Sequence, residues 1–385
     1  MRSLIKQGIN TIKNDGLVVF TQRIYNYSAL KVKRLSQQTN HSNLEKWQTL
    51  KGKFSGKRVF IIGNGPSLNE MPMYFLKNEY AMCFNRFGLL SERLNWFPDF
   101  YVVTDDLVIQ DMYEEINSSV LPLVKYAFFP DIHPSNIEFK SYIKHRENVY
   151  WLNTDKPDFT LDLPRCGINK TVVNAGIQIA GFMGFSEIYL IGVDMSFTDH
   201  KVKKLNSRNW KADDHDPNHF DPRYFGKGRK YHNPTVHEIL ERFKEAKSFF
   251  DPKGINIYNA GIGGKLEVFP RIKFTELFDF SEEQKKSLFL DSVPLRDPWR
   301  FLVKADTTGI TPGDREQLTA LFKEDIVKTT VDDGLRLIKE LIFTHIPFGP
   351  YQNHYYFISR KLLEERSINH QRLPCISPDI YRVNE

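Results

Sequence analysis

Residues 58–69 read Arg58-Val-Phe-Ile-Ile-Gly-Asn-Gly-Pro-Ser-Leu-Asn69. The four apolar residues Val59–Ile62 do not alternate with polar ones, which predicts a strand buried on both faces, as in a parallel sheet. The glycines of the following Gly63-Asn64-Gly65-Pro66-Ser67 allow a tight turn and close approach of a ligand. Because proline and serine suit the first residues of a helix, this strand, turn and helix start predict a phosphate or nucleotide site. The alternative is a plain strand-to-helix turn, since the stretch is neither a full dinucleotide fingerprint nor a P-loop.

Further strands and helices alternate along the chain. Strands are predicted at Ala81–Phe84, Phe100–Val103, Leu121–Phe129, Val149–Leu152, Ile188–Ile191 and Ile255–Tyr258, and helices at Ser67–Leu76, Thr171–Met183 and Val236–Phe250. This alternation predicts an α/β fold with a Rossmann-like, mostly parallel sheet and flanking helices. Such sheets bind ligands at the carboxyl ends of their strands. We therefore expect four residues that follow predicted strands to converge, namely Asn64, Asn85, Asp105 and Asp194.

Three regions are expected from the change in pattern along the chain. Residues 1–57 are basic and have the spacing of amphipathic helices, which fits docking on an anionic membrane surface or packing on the main domain equally well. Residues 58–280 form the nucleotide-binding domain, in which the polar stretch 201–231 is expected to be a long loop or lid. Residues 281–385 are expected to be a small helical appendage, with helices at Glu282–Leu290, Arg315–Lys328 and Asp332–Thr344.

Composition restricts the classes of function. The net charge of +6 over 385 residues suits an anionic substrate or membrane surface and is too small to indicate nucleic-acid binding. Three widely spaced cysteines favour a reduced, cytoplasmic setting, and no apolar run is long enough to span a bilayer. We therefore expect a cytoplasmic protein, with peripheral contact to the inner face of the plasma membrane as a further expectation.

Several polar residues are candidates for chemistry. Asp105 and Asp106 follow a strand together with Thr104 and could bind a magnesium ion that carries a nucleotide diphosphate, or simply cap the next helix. His232 precedes a predicted helix and could deprotonate an acceptor hydroxyl as a general base, a role that histidine often has, although a surface histidine is the alternative. A metal site or a hydrated polar loop could be formed by Asp213, Asp214, His215, Asp216 and His219. A carboxylate or phosphate could be held at a helix start by Arg165, Asn169 and Thr171.

Residues 59–68, Asn85 and the segment 171–194 resemble the small bacterial lipo-oligosaccharide sialyltransferases. They also resemble the 6-hydroxymethylpterin pyrophosphokinase-like proteins of surface-polysaccharide clusters. The resemblance covers roughly residues 58–275. It implies that Gly63, Asn64, Gly65, Ser67 and Asn85 bind the nucleotide of a CMP-linked sugar and that His232 is the base. It also implies that no metal is required, because tyrosine hydroxyls can stabilise the leaving phosphate. Tyr224 and Tyr231 are the candidates for this role. Tyr231 and Asp194 are also expected in the substrate site.

The sequence thus predicts a nucleotide-sugar-dependent glycosyltransferase of bacterial surface-glycan assembly. It would transfer a sugar, for example a nonulosonic acid from a CMP donor, to a glycan or glycolipid hydroxyl. The alternatives are a magnesium-dependent nucleotide pyrophosphotransferase that uses Asp105 and Asp106, and a non-catalytic module that binds nucleotide or glycan.

Overall fold

The structure is a computed structural model. It describes residues 41–281, apart from 92, 93, 95, 155–157, 169, 199–201, 206–208, 213–215, 222, 223, 226 and 227. Beyond residue 281 it describes residues 283–285 and 288 and three strands. The basic residues 1–40, for which amphipathic helices were predicted, lie outside the described residues.

A seven-stranded parallel sheet forms the centre of the fold. Its strands are β1 (Arg58–Ile62), β2 (Ala81–Phe84), β3 (Phe100–Val102), β4 (Tyr126–Pro130), β5 (Val149–Leu152), β6 (Glu187–Ile191) and β10 (Asn256–Asn259), in the order β10-β6-β1-β2-β3-β4-β5. Every neighbouring pair is parallel. The predicted Rossmann-like α/β fold is therefore confirmed. The strand order reverses between β1 and β6, and ligands bind such sheets at the carboxyl ends of strands at this switch point.

Helices cover both faces of the sheet. They are α1 (His41–Gln48), α2 (Gly88–Ser91), α3 (Asp106–Glu115), α4 (Val172–Phe182) and α5 (Val236–Phe250). Residues of β1 alternate between two buried clusters: Phe60 and Ile62 join the α3 side, and Val59 and Ile61 join the α1, α4 and α5 side. Burial on both faces is why the strand reads as an unbroken apolar run.

Two local predictions need correction. The helix expected over Ser67–Leu76 is instead two short 3₁₀ segments, Pro66–Glu70 and Met73–Asn78. Pro72 lies between them and lacks the backbone N–H that a continuous helix would need. The lid at 201–231 is not structureless, since β7 (Val202–Lys204), β8 (Asn209–Ala212) and β9 (Lys230–His232) form a small antiparallel sheet.

The end of the basic N-terminal region packs into the main domain. Trp47 and Leu50 are fully buried, and Phe54 stacks on Phe185 with ring centroids 5.0 Å apart. The indole N–H of Trp47 donates to the carbonyl oxygen of Trp151 at 2.9 Å. A boundary at residue 57 therefore does not separate residues 41–57 from the core of the sheet domain.

The described part of the C-terminal region is a three-stranded antiparallel sheet. It consists of β11 (Ile326–Thr330), β12 (His345–Tyr351) and β13 (His354–Ser359), with β13 in the middle. This corrects the expectation of a purely helical appendage. The predicted helix Arg315–Lys328 runs into β11, where the β-branched residues Ile326, Val327 and Thr329 favour a strand.

Candidate active site

The glycine-rich turn after β1 packs against the loop after β6. The N–H of Gly63 donates to the oxygen of Ile191 at 2.7 Å, and the N–H of Gly65 donates to the oxygen of Gly192 at 2.8 Å. A β-carbon on Gly63 would lie 2.2 Å from the oxygen of Gly192. These glycines are thus explained by close contact between two backbone segments, and the N–H groups of Gly63 and Gly65 are already used within the protein.

Ser67 and Asp194 join the same two loops. The backbone N–H of Ser67 donates to Oδ2 of Asp194 at 2.9 Å, and its hydroxyl donates to Oδ1. Burial raises the pKa of Asp194, while the bonds from Ser67 and the nearby His219 oppose that rise. The sequence predicted that backbone N–H groups around Asn64 bind an anion. The N–H groups of Gly63, Gly65 and Ser67 are bonded within the protein and are therefore not available to do so.

The side chains of Asn64 and Asn85 offer a different kind of binding group. Their Oδ1 atoms are buried and have no hydrogen-bond partner among the described residues. Asn85 has a positive φ of 50°, and its carbonyl oxygen accepts from the hydroxyl of Tyr101 at 2.7 Å. A buried acceptor without a donor costs free energy, so each amide oxygen is a candidate to receive an N–H or O–H from a ligand.

The predicted base and the predicted metal ligands meet after β3. Asp105 caps α3 by accepting from the N–H groups of Leu107 and Val108 at 2.8 and 3.0 Å. Nε2 of His232 lies 3.0 Å from Oδ1 of Asp106 and 3.7 Å from Oδ2 of Asp105. One ligand atom from each of these three residues lies within 4.8 Å of the others, a spacing that would allow a shared cation.

A chain of hydrogen bonds continues on both sides of Asp106. The hydroxyl of Ser135 donates to Oδ2 of Asp106 at 2.7 Å and lies 2.7 Å from Nδ1 of His133. On the other side, Nδ1 of His232 lies 2.9 Å from Oδ1 of Asn209 on β8. Burial raises the pKa of Asp106, but the bonds from His232 and Ser135 and the nearby histidines outweigh it and hold the pKa well below its usual value. Asp106 is therefore an ionised carboxylate beside the ring of His232.

Described residues between 216 and 232 contact the loops at the carboxyl ends of neighbouring strands. The N–H of Phe220 donates to the oxygen of Asn64 at 3.0 Å, after β1. The hydroxyl of Tyr224 contacts Asn85, after β2, and burial raises the pKa of this tyrosine well above its usual value. His232 reaches Asp106, after β3. The predicted position of this segment over the strand ends therefore agrees with the contacts.

Tyr231 is part of the lid's own packing. Its ring stacks on Phe225 with centroids 4.8 Å apart and meets Trp210 edge-on. Burial and, to a lesser degree, the negative charge of Asp216 raise the pKa of Tyr231 to about 12. The phenol is therefore neutral at physiological pH.

The remaining predicted residues have structural roles or lie outside the site's contacts. Thr104 is buried. Thr171 caps α4 by accepting from the N–H of Val173 at 3.3 Å, and Arg165 forms a bridge with Asn153 after β5, at the far edge of the sheet. Asn169 lies outside the described residues, as do Asp213, Asp214 and His215 of the candidate metal loop.

Sequence reasoning missed four members of this arrangement: Ser135, His133, Asn209 and Arg86. His133 and Ser135 follow the predicted strand that became β4, so their position after a strand end was an available signal. Asn209 had none, because β8 was not predicted. Arg86 is a buried guanidinium paired with Asp111 and lies next to the predicted Asn85.

Residues 35–200 match the family model described as 6-hydroxymethylpterin diphosphokinase MptE-like. The chain is similar to this family over less than half of its length, a stretch that includes the turn after β1, Asn85, Asp105 and Asp106. No curated protein matches the chain.

Two solved structures are similar to the chain. The Maf glycosyltransferase from Magnetospirillum magneticum AMB-1 is 15% identical with a TM-score of 0.34, over 89% of this chain and 53% of that one. The sialyltransferase CstII from Campylobacter jejuni, solved with cytidine-5'-monophosphate, is 14% identical with a TM-score of 0.34, over 57% of this chain and 85% of that one. The chain thus spans about half the length of the first protein, and both are too distant to transfer a residue role. The chain is thus similar to the MptE-like family over residues 35–200, which include the strands β1 to β6 of the parallel sheet.

Proposed function

We propose that this protein is a glycosyltransferase that moves a sugar from a nucleotide donor to a hydroxyl of a glycan or glycolipid. The observation that carries the proposal is the pairing of His232 with the ionised Asp106 at the carboxyl end of β3. A histidine oriented by a carboxylate is a common general base, because the carboxylate fixes the ring and stabilises the imidazolium that forms.

The position of the proton on the His232 ring determines which nitrogen could act as the base. In the neutral ring, Nε2 carries the proton and donates it to Asp106, so the lone pair belongs to Nδ1. The atom 2.9 Å from Nδ1 is Oδ1 of Asn209, an acceptor, so Asn209 can bond to this lone pair only when its amide is turned to present Nδ2–H. The acceptor hydroxyl would therefore replace Asn209 at Nδ1 and lose its proton there as its oxygen attacks the sugar. Geometry around a base often changes in this way when substrate binds.

The donor nucleotide would lie over β1 and β2. The amide oxygens of Asn64 and Asn85, which have no partner among the described residues, can accept hydrogen bonds from the amino or hydroxyl groups of a nucleoside. Both residues follow strands next to the point where the strand order reverses. The donor would therefore be recognised by side-chain amides rather than by the backbone cradle that the glycines first indicated.

The proposal includes a role in bacterial surface-glycan assembly and a CMP-linked nonulosonic acid as the donor. It also includes a cytoplasmic location with peripheral contact to the membrane. Contact with the inner membrane would involve the basic residues 1–40. Among the residues that the structure describes, no helix has the length and apolar character needed to cross a membrane.

The test is a thermal-shift screen of the full chain with CMP, CDP, UDP, GDP and ATP, each with and without magnesium. A ligand that binds the native state alone raises the melting temperature by mass action. We expect one nucleotide to do so without magnesium and its sugar conjugate to support transfer to a glycan acceptor. No shift with any nucleotide, or binding of nucleotide sugars without turnover, would contradict a transferase.

Magnesium-dependent pyrophosphotransfer is the second candidate, favoured by the close approach of Asp105, Asp106 and His232. The two carboxylates suit a hard cation, whereas the imidazole suits a transition metal better. A bound cation would neutralise phosphate charge beside Asp105 and Asp106. Activity that requires added metal and is lost in Asp105→Asn would support this function, and activity in the presence of EDTA would contradict it.

A further inference from the structure

A second carboxylate–histidine pair lies in the lid, away from His232. Nδ1 of His219 lies 2.6 Å from Oδ2 of Asp216, which is 4% exposed. Asp216 also accepts from the N–H groups of Asn218 and Phe225 at 2.8 and 3.1 Å. Burial raises the pKa of Asp216, but the bonds from His219 and from these N–H groups lower it below the usual value. Asp216 is therefore an ionised carboxylate that holds the Nδ1 proton of His219.

The ring of His219 is held in one orientation. It stacks on Tyr224 with centroids 4.0 Å apart and an interplanar angle of 3°, and it meets Phe225 edge-on. With Nδ1 bound to Asp216, the remaining ring nitrogen is Nε2, which has no hydrogen-bond partner in the part of the chain that the structure describes. Here His219 differs from His232, whose two nitrogens both have partners.

The surroundings of His219 are those of the expected donor site. Its neighbour Phe220 bonds to the backbone of Asn64, and the Tyr224 ring beneath it carries the hydroxyl that contacts Asn85. The Tyr224 hydroxyl is buried and contacts Asn85, so the tyrosine that carries the His219 ring is itself joined to the loop after β2.

Two charged groups lie near His219 in addition to Asp216, namely Asp194 and Arg86. Asp194 is close enough for the histidine to lower its pKa, and Asp194 already receives two hydrogen bonds from Ser67. Arg86 lies close enough to lower the pKa of Tyr224 by its positive charge. Its side chain is 5% exposed, and its Nε has no hydrogen-bond partner among the described residues. Asp111 already pairs with Arg86, so Arg86 offers an anion its unused Nε–H rather than a net positive charge.

We propose that His219, oriented by Asp216, binds the phosphate of the donor nucleotide as an imidazolium. Asp216 keeps the Nδ1 proton, and Nε2 takes up a second proton from solvent as the anion binds, so that Nε2–H donates to a phosphate oxygen. This inference rests on the proposed function and adds the group that faces the leaving phosphate. During transfer the bond between the sugar carbon and the phosphate oxygen breaks, and its electron pair stays on that oxygen. The acceptor oxygen forms the new bond to the sugar carbon, and its proton goes to His232. His219 stabilises the departing oxygen by a charge-assisted hydrogen bond.

The experiment compares a nucleotide with its own nucleoside on the full chain. The best-binding nucleotide from CMP, CDP, UDP and GDP is titrated against the wild type, His219→Gln and Asp216→Asn, and so is the nucleoside without phosphate. We expect His219→Gln to weaken nucleotide binding by about tenfold or more and nucleoside binding by less than about twofold, since only the nucleotide has the charged bond to lose. Asp216→Asn should have a smaller effect in the same direction, because the ring stays but its orientation weakens.

The matched control is His145→Gln, which changes an exposed histidine outside the lid. Melting temperatures check that every variant is folded. In ¹⁵N-histidine spectra of the wild type, the Nε2 signal of His219 should shift with the nucleotide and not with the nucleoside.

Equal losses for nucleotide and nucleoside in His219→Gln would show that His219 only holds the lid together, and would overturn the inference while the proposed function stands. An unchanged nucleotide affinity would overturn it equally. If no nucleotide binds the wild type at all, the proposed function fails and the inference fails with it.

Discussion

Ser67 donates both its backbone N–H and its hydroxyl to the carboxylate of Asp194. The two residues are far apart in sequence and follow neighbouring strands, β1 and β6. The bonds fix the turn after β1 against the loop after β6, at the point where the strand order reverses. The most conspicuous motif of the sequence therefore holds these two loops together at the carboxyl end of the sheet.

This contact predicts that Gly65→Ala destabilises the protein. The new β-carbon would lie 2.4 Å from Oδ2 of Asp194 and 2.8 Å from the oxygen of Gly192, and that backbone oxygen cannot move freely. We expect a loss of about 1–3 kcal/mol in the free energy of unfolding, measured by urea denaturation. Gly88→Ala is the control, since a β-carbon there would meet only the end of the Glu115 side chain, at 3.1 Å. Equal stability of the two variants would contradict the packing argument.

Tyr224→Phe should also be destabilising. The variant removes a buried hydroxyl that contacts Asn85, and so leaves the asparagine side chain with one partner fewer. Loss of such a bond costs about 1–2 kcal/mol. Tyr113→Phe is the matched control, because the hydroxyl of Tyr113 is on an exposed side chain and bonds only to its neighbour Glu114. A melting temperature of Tyr224→Phe as high as that of the control would refute the buried bond.

His232→Gln should lower the rate of transfer by about 10² to 10⁴, the usual contribution of a general base. Binding of the nucleotide, measured by calorimetry, should stay nearly intact, because His232 lies at the end of β3 and the expected nucleotide site lies over β1 and β2. His237→Gln, on the exposed face of α5, is the control. Turnover of His232→Gln at the wild-type rate would remove this residue from the mechanism.

Asp106→Asn should change how stability depends on pH. The pKa of Asp106 is lower in the folded protein than the value of about 3.9 for an unfolded aspartate. Its ionised form therefore stabilises the native state above about pH 4, and this contribution is lost as the pH falls toward the lower native pKa. At pH 7 the variant should be less stable by about 1–3 kcal/mol.

The measurement is thermal unfolding of wild type and Asp106→Asn between pH 7 and pH 3. The difference in melting temperature should narrow below about pH 4, where the unfolded carboxyl group begins to take up a proton. A difference that stays constant over the whole range would mean that Asp106 is not held ionised by His232 and Ser135.

Local pattern was sufficient for most of the sheet. The strands Ala81–Phe84 and Val149–Leu152 and the helix Val236–Phe250 have the bounds that their residues predicted. Elements governed by longer-range pairing were missed. β7, β8 and β9 are short and polar and are stabilised by one another, and β11 to β13 likewise pair only among themselves.

The sequence by itself determined the parallel sheet and the positions of Asn64, Asn85, Asp105 and Asp194 at strand ends. Continuous apolar runs and the turns that end them are local properties of the chain, so they can be read without neighbours. Only the tertiary structure decided that Asp194 binds Ser67, that Asp106 lies beside His232, and that Asp216 orients His219 above Tyr224. These roles depend on which loops the strand order brings together and on which donors and acceptors burial leaves for a ligand.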